Sequence, residues 1–355
     1  MKSWTPLSAA EQLALHLRKE LVRGCWGGKL PGVRQMAGEL GVNHKTVRAA
    51  VRQLEEEGVL VGQGPGRERL IVIPRGEVSP MRVAVLSRSR ESREDVNLSK
   101  CMQALAEEGH TPFFAGKSQQ DLKGKGSRIS SLVNQTEADA WLVNGGSREV
   151  LEWFSKQPIP SFALFGRRSG LPLAAVGPDK KAAYAEVGRH LADLGHRRIV
   201  LLCSEDRRVP GPGATEQAFL DALESRGIQT GAAYNLPDWE DSSEGLDQIL
   251  TSLFRVTPPT ALLIDMSNVF NAAYQILLRR GIRVPQNVSL ISTDWDVLFE
   301  LFEPSVAHID WDLRPVVRRV AQWANNVSRG RRDVRQSLTP AKYVEGGTVE
   351  AVPGG

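Results

Sequence analysis

Lys45, Arg48 and Arg52 recur at spacings of three and four residues, with His44 and Thr46 among them and three glutamates, Glu55 to Glu57, close behind. That spacing gathers the cations on one face of a helix and leaves the acids at its far end. A helix N-terminus already presents free N–H groups and partial positive charge, so cations and hydroxyl or imidazole groups added there suit a polyanion's phosphates. Catalytic chemistry, by contrast, lacks its parts. There is no GxSxG, P-loop, HExxH or strand-borne GxGxxG. The six histidines (16, 44, 110, 190, 196 and 308) follow no ligand spacing, and His196 reads as a structural corner between helix and strand. Cys25, Cys101 and Cys203 are odd in number and far apart, which fits neither a metal site nor a disulfide framework. No enzyme, catalytic residue, metal or cofactor is expected.

The elements that hold the cations follow from apolar spacing. Ala10, Leu13, Ala14, Leu17 and Leu21 recur with a helical period, and Gly24 follows as a stop. Val33, Met36, Ala37 and Leu40 stripe a second helix that Gly41 ends in the left-handed conformation. Asn43 caps a third, whose Val47, Val51 and Leu54 must face inward. Two helices on a tight glycine turn form a helix-turn-helix, the second of which reads DNA's major groove. Beyond it, "GVLVGQGPGRERLIVI" spells strand, turn and strand, with arms at 59–61 and 70–73 and a basic tip over 63–69. This is a wing against the duplex. Charge agrees: residues 1–75 hold 12 of the 45 Lys/Arg and 7 of the 41 Asp/Glu, leaving 33 against 34 elsewhere.

Residues 30–71, "LPGVRQMAGELGVNHKTVRAAVRQLEEEGVLVGQGPGRERLI", closely resemble the winged helix of GntR-type repressors. The resemblance implies that Arg34, Lys45, Thr46 and Arg48 contact phosphates or bases, with Asn43 and Arg67 beside them, and that Gln63 and Gly64 enter the minor groove. The family most often has Arg at the position of His44. A neutral His cannot make the bidentate contact Arg makes to guanine, so a departure from the usual half-site is expected.

At 355 residues, 41% hydrophobic and 24% charged, the chain suits a soluble protein of two or three domains. No run of about 18 apolar residues spans a membrane, and the N-terminus lacks a secretory signal, so a cytoplasmic protein is expected. After a Pro-broken linker over 74–81, strands expected at 83–86, 140–143, 162–165, 199–203, 261–264 and 288–292 are interspersed with helices at 98–108, 180–194, 215–226, 246–254, 269–280 and 313–326. Alternation of this kind predicts an α/β fold of parallel sheets, with ligands at the carboxyl ends of the strands.

"AAVGPDKKAAYAEVGRHLADLGHRRIVLL" (174–202), "AFLDALESRGI" (218–228) and "LLRRGIRVPQNVSLISTDWD" (277–296) resemble the effector-binding domain of LacI-type repressors, a periplasmic-binding-protein-like (type I) fold. The resemblance implies a winged-helix domain over 1–73 and a two-lobed effector and dimerisation domain over 82–355. One lobe would take 82–176 and 305–328, the other 177–300 and 329–350. It also implies an effector site from Ser87, Arg88, Trp239, Asp294 and Trp311. Thr215 stands where the family has Arg, and Met266-Ser267 where it has Asn-Asp. These losses remove bidentate hydrogen bonding, while Trp adds flat apolar area for a ring.

The expected function is a homodimeric repressor on a palindromic double-stranded operator, controlled by a carbohydrate effector and free of the membrane. The alternative is a constitutive DNA-binding regulator whose degenerate sensor serves only dimerisation or protein interaction.

Overall fold

The computed structural model describes residues 8–22, 29–62, 69–71, 80–209 and 211–352. The chain divides into two compact units, 1–176 with 314–337 and 177–313 with 338–355.

The first unit opens with helices α1 (Ala9–Val22), α2 (Val33–Leu40) and α3 (His44–Glu56) and an antiparallel sheet of β1 (Lys29–Leu30), β2 (Leu60–Val61) and β3 (Arg69–Ile71), ordered β1-β3-β2. Leu13, Ala14, Leu17 and Leu21 of α1 pack on Val47, Ala50, Val51 and Leu54 of α3, as their spacing predicts. Gly41 ends α2 at φ +65°, a left-handed position that costs glycine nothing. Asn43 then caps α3, its side chain accepting the Lys45 N–H at 2.8 Å. β1 is a strand that periodicity over two residues cannot announce. It pairs Leu30 with Arg69 on the outer side of β3. The outer half of the expected arm at 70–73, the Gly24 stop and most of the linker lie outside the described residues.

The rest of this unit is a parallel sheet ordered Thr111–Phe114, Arg82–Leu86, Ala140–Asn144, Ser161–Leu164 and the start of Ala174–Asp179. Helices Val96–Glu107, Gly126–Gln135, Arg148–Ser155 and Arg314–Ser328 cover it. Gly126–Gln135 escapes sequence reading because its apolar residues are few, Ile129 and Leu132 buried and Val133 partly so. In the second unit Ile199–Leu202, Ala261–Ile264, Ser289–Ser292 and Ala307–Trp311 run parallel. Alternate residues feed two cores: Ile199, Leu201 and Cys203 face one helical layer, Val200 and Leu202 the other.

The sheet of the second unit is parallel as expected except at Gln336–Val344, which pairs antiparallel with Ala307–Trp311. One expectation is corrected: the lobe boundaries near the end of the chain are exchanged. Residues 305–313 belong to the second unit, where Ala307 pairs with Ile291. Residues 329–337 belong to the first, where the Arg335 carbonyl accepts the Ala175 N–H at 3.1 Å and Gln336 Nε2 donates to the Leu171 carbonyl at 2.7 Å.

His196 is the corner its sequence suggested. Its Nε2–H donates to the Glu350 carbonyl at 3.0 Å, which leaves Nδ1 to accept the Thr260 hydroxyl at 3.0 Å. Burial pushes its pKa below the ordinary histidine value. The unfolded chain therefore binds a proton that the folded chain resists, so stability is intact above about pH 6.5 and falls as pH drops below it. Denaturant midpoints from pH 7 to 5 should decline, and His196→Gln should flatten that decline. An unchanged slope would remove His196 as its cause.

Candidate nucleic-acid interface and effector site

With Val47, Ala50, Val51 and Leu54 buried, the opposite face of α3 presents Lys45, Arg48 and Arg52 to solvent. Asn43 and His44 are exposed at its start, Thr46 is half-buried, and Arg34 is exposed on α2. The glutamates at the far end are each engaged. Glu55 binds Arg69 of the wing at 2.5 Å, Glu56 binds Arg52 at 3.0 Å, and Glu57 binds Arg18 of α1 at 3.3 Å. The uneven charge of α3 is thus a latch as well as a gradient. Its acidic end ties helix to wing and to α1. Among the described residues, Arg34, Lys45 and Arg48 have no ion pair, unlike Arg52. Gln63, Gly64 and Arg67 lie outside the described residues.

In the second unit Asp294 and Trp311 come together. Asp294 Oδ1 accepts the Trp311 indole N–H at 3.0 Å and Lys180 Nζ at 2.6 Å. Lys180 is buried, whereas Asp294 keeps about a quarter of its side chain exposed, 26%. Trp239 is set differently. It packs on the core, its indole N–H donates to the Cys203 carbonyl at 2.9 Å, and its own carbonyl takes Arg208 Nη2 at 2.9 Å. Thr215 is half-buried in the first turn of Ala214–Glu224.

Beside Thr215 lies a buried network that sequence reading missed. Arg207 reaches Glu216 through Nη1 and Asp265 through Nε, each at 2.9 Å, and the Thr293 hydroxyl donates to Asp265 at 2.9 Å. Burial, and then Asp265, push the neighbouring Tyr184 phenol up. The guanidinium here is carried by Arg207 on Glu205–Arg208 and is committed to those two carboxylates.

In the first unit Ser87 and Asn144 end the adjacent strands Arg82–Leu86 and Ala140–Asn144, both buried. Ser87 Oγ and Asn144 Oδ1 have no hydrogen-bond partner. Gln119 Nε2 donates to the Asn144 backbone carbonyl at 2.7 Å, and Arg88 is half-buried with its stem against Gly145. Buried polar atoms left open at the carboxyl edge of a parallel sheet are where this architecture takes ligands.

Comparison with known proteins identifies two domains. Residues 9–66 match the gntR family of bacterial regulatory proteins, and residues 189–349 match the periplasmic binding protein-like domain. The chain joins a gntR-family regulatory domain to a periplasmic binding protein-like domain. DegA, an HTH-type transcriptional regulator of Bacillus subtilis, is 24% identical over 246 residues, 68% of this chain and 72% of that protein. An HTH-type regulator in the aml 5' region of Streptomyces limosus is 28% identical over 270 residues, 71% of this chain and 74% of that protein. In fold, the chain is similar to a LacI family regulator from Enterococcus faecium with bound ribose (TM-score 0.61, 17% identity, 76% of this chain and 99% of that one). It is likewise similar to CelR in complex with cellobiose (TM-score 0.62, 16% identity, 90% and 100%). The protein is a DNA-binding transcription regulator.

Lys180 and Arg207 are the charged side chains in these networks that sequence reading did not find. Lys180 is 114 residues from Asp294, and nothing local in "GPDKKAA" announces that pairing. Arg207 had a signal: two adjacent arginines directly after a buried strand, at the edge where ligands bind.

Proposed function

We propose that the protein is a repressor that binds a palindromic operator as a homodimer and responds to a small carbohydrate. The winged helix would occupy 1–73, the linker 74–81 and the effector and dimerisation domain 82–355, in the cytoplasm; no described helix is long and apolar enough to cross a membrane. One observation carries the DNA reading: among the described residues, Arg34, Lys45 and Arg48 have no ion pair while Arg18, Arg52 and Arg69 are each neutralised by a glutamate. The carbohydrate reading is supported by Asp294, Trp311 and the Arg207 network at the carboxyl edge of one sheet, and by Ser87 and Asn144 at that of the other. Neighbours of this fold carry ribose and cellobiose.

The test is a thermal-shift panel of mono- and oligosaccharides. A ligand at 100 times its Kd stabilises the folded state by about 2.7 kcal/mol. A saturating shift with one sugar, coupled to altered operator affinity, supports the reading. A flat panel favours the second reading, a constitutive regulator with an inert sensor. Lys180 already engaging Asp294, and the Trp239 N–H already bonded within the core, favour that alternative.

The homodimer has its own support. The loop after Ser289–Ser292 exposes Trp295, Val297, Leu298 and Leu301, the last at 82%. Side chains of that size rarely cluster in water without a partner. Leu301→Asp with Leu298→Asp should convert dimer to monomer in sedimentation at micromolar concentration while leaving the circular dichroism spectrum unchanged. A dimer surviving both changes would exclude this loop from the interface.

A further inference from the structure

Residues 314–335 hold seven arginines, one aspartate and no lysine. Residues 76–355 sum to 33 Lys/Arg against 34 Asp/Glu, so outside this stretch they hold 26 against 33. A strongly basic segment is therefore concealed within a nearly neutral region.

The helix Arg314–Ser328 sorts these arginines by face. Arg319 points inward with Val316, Val320, Trp323 and Val327. Its two Nη atoms hold the Asp333 carboxylate at 2.6 and 3.0 Å, and its guanidinium lies 5.4 Å from the centre of the Phe162 ring. Asp333 also accepts Asn326 Nδ2 at 2.9 Å. The segment's one acid is fully engaged. Arg318, Arg329 and Arg331 instead line an open cavity of about 680 Å³ on the outer side of the helix. Glu108, the acid in that lining, already accepts Asn325 Nδ2 at 2.6 Å. None of the three arginines is ion-paired among the described residues. The turn at Gly330, φ +68°, keeps two of them here, with the Arg329 and Arg331 N–H groups donating to the Asn326 carbonyl at 3.2 and 2.9 Å. Carbonyls at a helix end carry partial negative charge, so this capping removes a group that would oppose an anion.

Three guanidiniums on one cavity, separated by neutral amides, offer forked donors to a group with several acceptor oxygens and about two negative charges. We propose that this groove binds a phosphate dianion, either inorganic phosphate or the phosphomonoester of a small metabolite. The site is separate from the Ser87 edge of the same unit and does not depend on the effector reading. The Met81 N–H donates to His110 Nδ1 at 3.3 Å, which places Glu108 at the amino edge of the sheet. Ser87 follows the carboxyl end of Arg82–Leu86, five residues or about 16 Å along the strand. A duplex phosphate is the rival occupant. Convergence of the arginines on one cavity favours a discrete phosphate group.

The test uses the full-length protein and isothermal titration with inorganic phosphate, glucose 6-phosphate and glucose, ionic strength being held with chloride. Phosphate should bind saturably at one site per chain. Arg318→Ala and Arg331→Ala should each weaken it about tenfold. Arg331→Lys should recover little, since an ammonium cannot fork, and Arg332→Ala, a change of equal charge outside the cavity, should leave binding intact. Glucose 6-phosphate tighter than phosphate, with glucose silent, assigns a metabolite; equal affinities assign the free ion. Three outcomes overturn the proposal: no saturable phosphate binding, an equal loss in Arg332→Ala, or inert phosphate while longer operator flanks tighten DNA binding only when Arg318 and Arg331 are present.

Discussion

Arg48→Ala should weaken operator binding about ten- to a hundredfold, the range for losing a side chain that reads a base edge or holds a phosphate. The substitution removes no ion pair among the described residues, because Arg48 is exposed on the face of α3 opposite Val47, Val51 and Leu54. Its melting temperature should stay at the wild-type value. Fluorescence anisotropy at several salt concentrations separates the two possible roles. If Arg48 holds a phosphate, affinity falls on every sequence and the salt slope drops by about one ion; if it reads a base, operator binding falls and non-operator binding persists. Arg52→Ala is the internal control. Arg52 lies on the same face but is held by Glu56 at 3.0 Å, so its loss should matter less. Equal losses at 48 and 52 would mean that this face acts only through its summed charge. His44→Arg asks the complementary question, and a gain of guanine preference would show that His44 sets the half-site.

These expectations were legible because α3 is a local object. Its period, cap and charge all lie within 14 consecutive residues, Asn43 to Glu56, so spacing alone fixes which side chains face out. The latch formed by Glu55, Glu56 and Glu57 was only half legible. Their distance from the cations could be counted, but Arg18 and Arg69 reach them through tertiary packing. Effector chemistry was harder still. Asp294 and Trp311 stand where the resemblance places a pocket and do meet, yet Lys180 joins them from the end of another strand, and Arg207 builds a separate network with Glu216 and Asp265. Trp239, expected to stack on a ring, has its N–H committed to the Cys203 carbonyl. A side chain's type does not reveal whether its polar atom is already taken. The arginine-lined groove was hidden by summation, since a regional total near zero masks a local excess of six. A charge window the length of one helix would have exposed it.

The same helix supplies the largest stability effect. Asp333→Ala should destabilise the first unit by about 3–5 kcal/mol, the range for stranding one member of a buried ion pair. Arg319 and Asp333 are exposed by only 4% and 8%, and the guanidinium would keep just the Arg335 carbonyl at 2.8 Å and the face of Phe162. For a unit of this size that corresponds to a fall of about 6–20 °C in melting temperature. Calorimetry should show the first unit melting before the second, since 177–313 with 338–355 has its own core. The pH dependence carries a second signature. Burial alone would raise the Asp333 pKa, but hydrogen bonds from Arg319, Asn326 and the Arg335 N–H outweigh it and hold the carboxyl below its ordinary value. A depressed carboxyl contributes stability above its unfolded pKa and loses it as pH falls, so the wild type should weaken below about pH 4, where the variant has nothing left to lose. Arg319→Met combined with Asp333→Ala should recover part of the loss, because the stranded charge rather than the missing attraction is the larger cost. If the double variant were no more stable than Asp333→Ala alone, the pair would be contributing through geometry, as the clasp that holds 329–337 against the first unit.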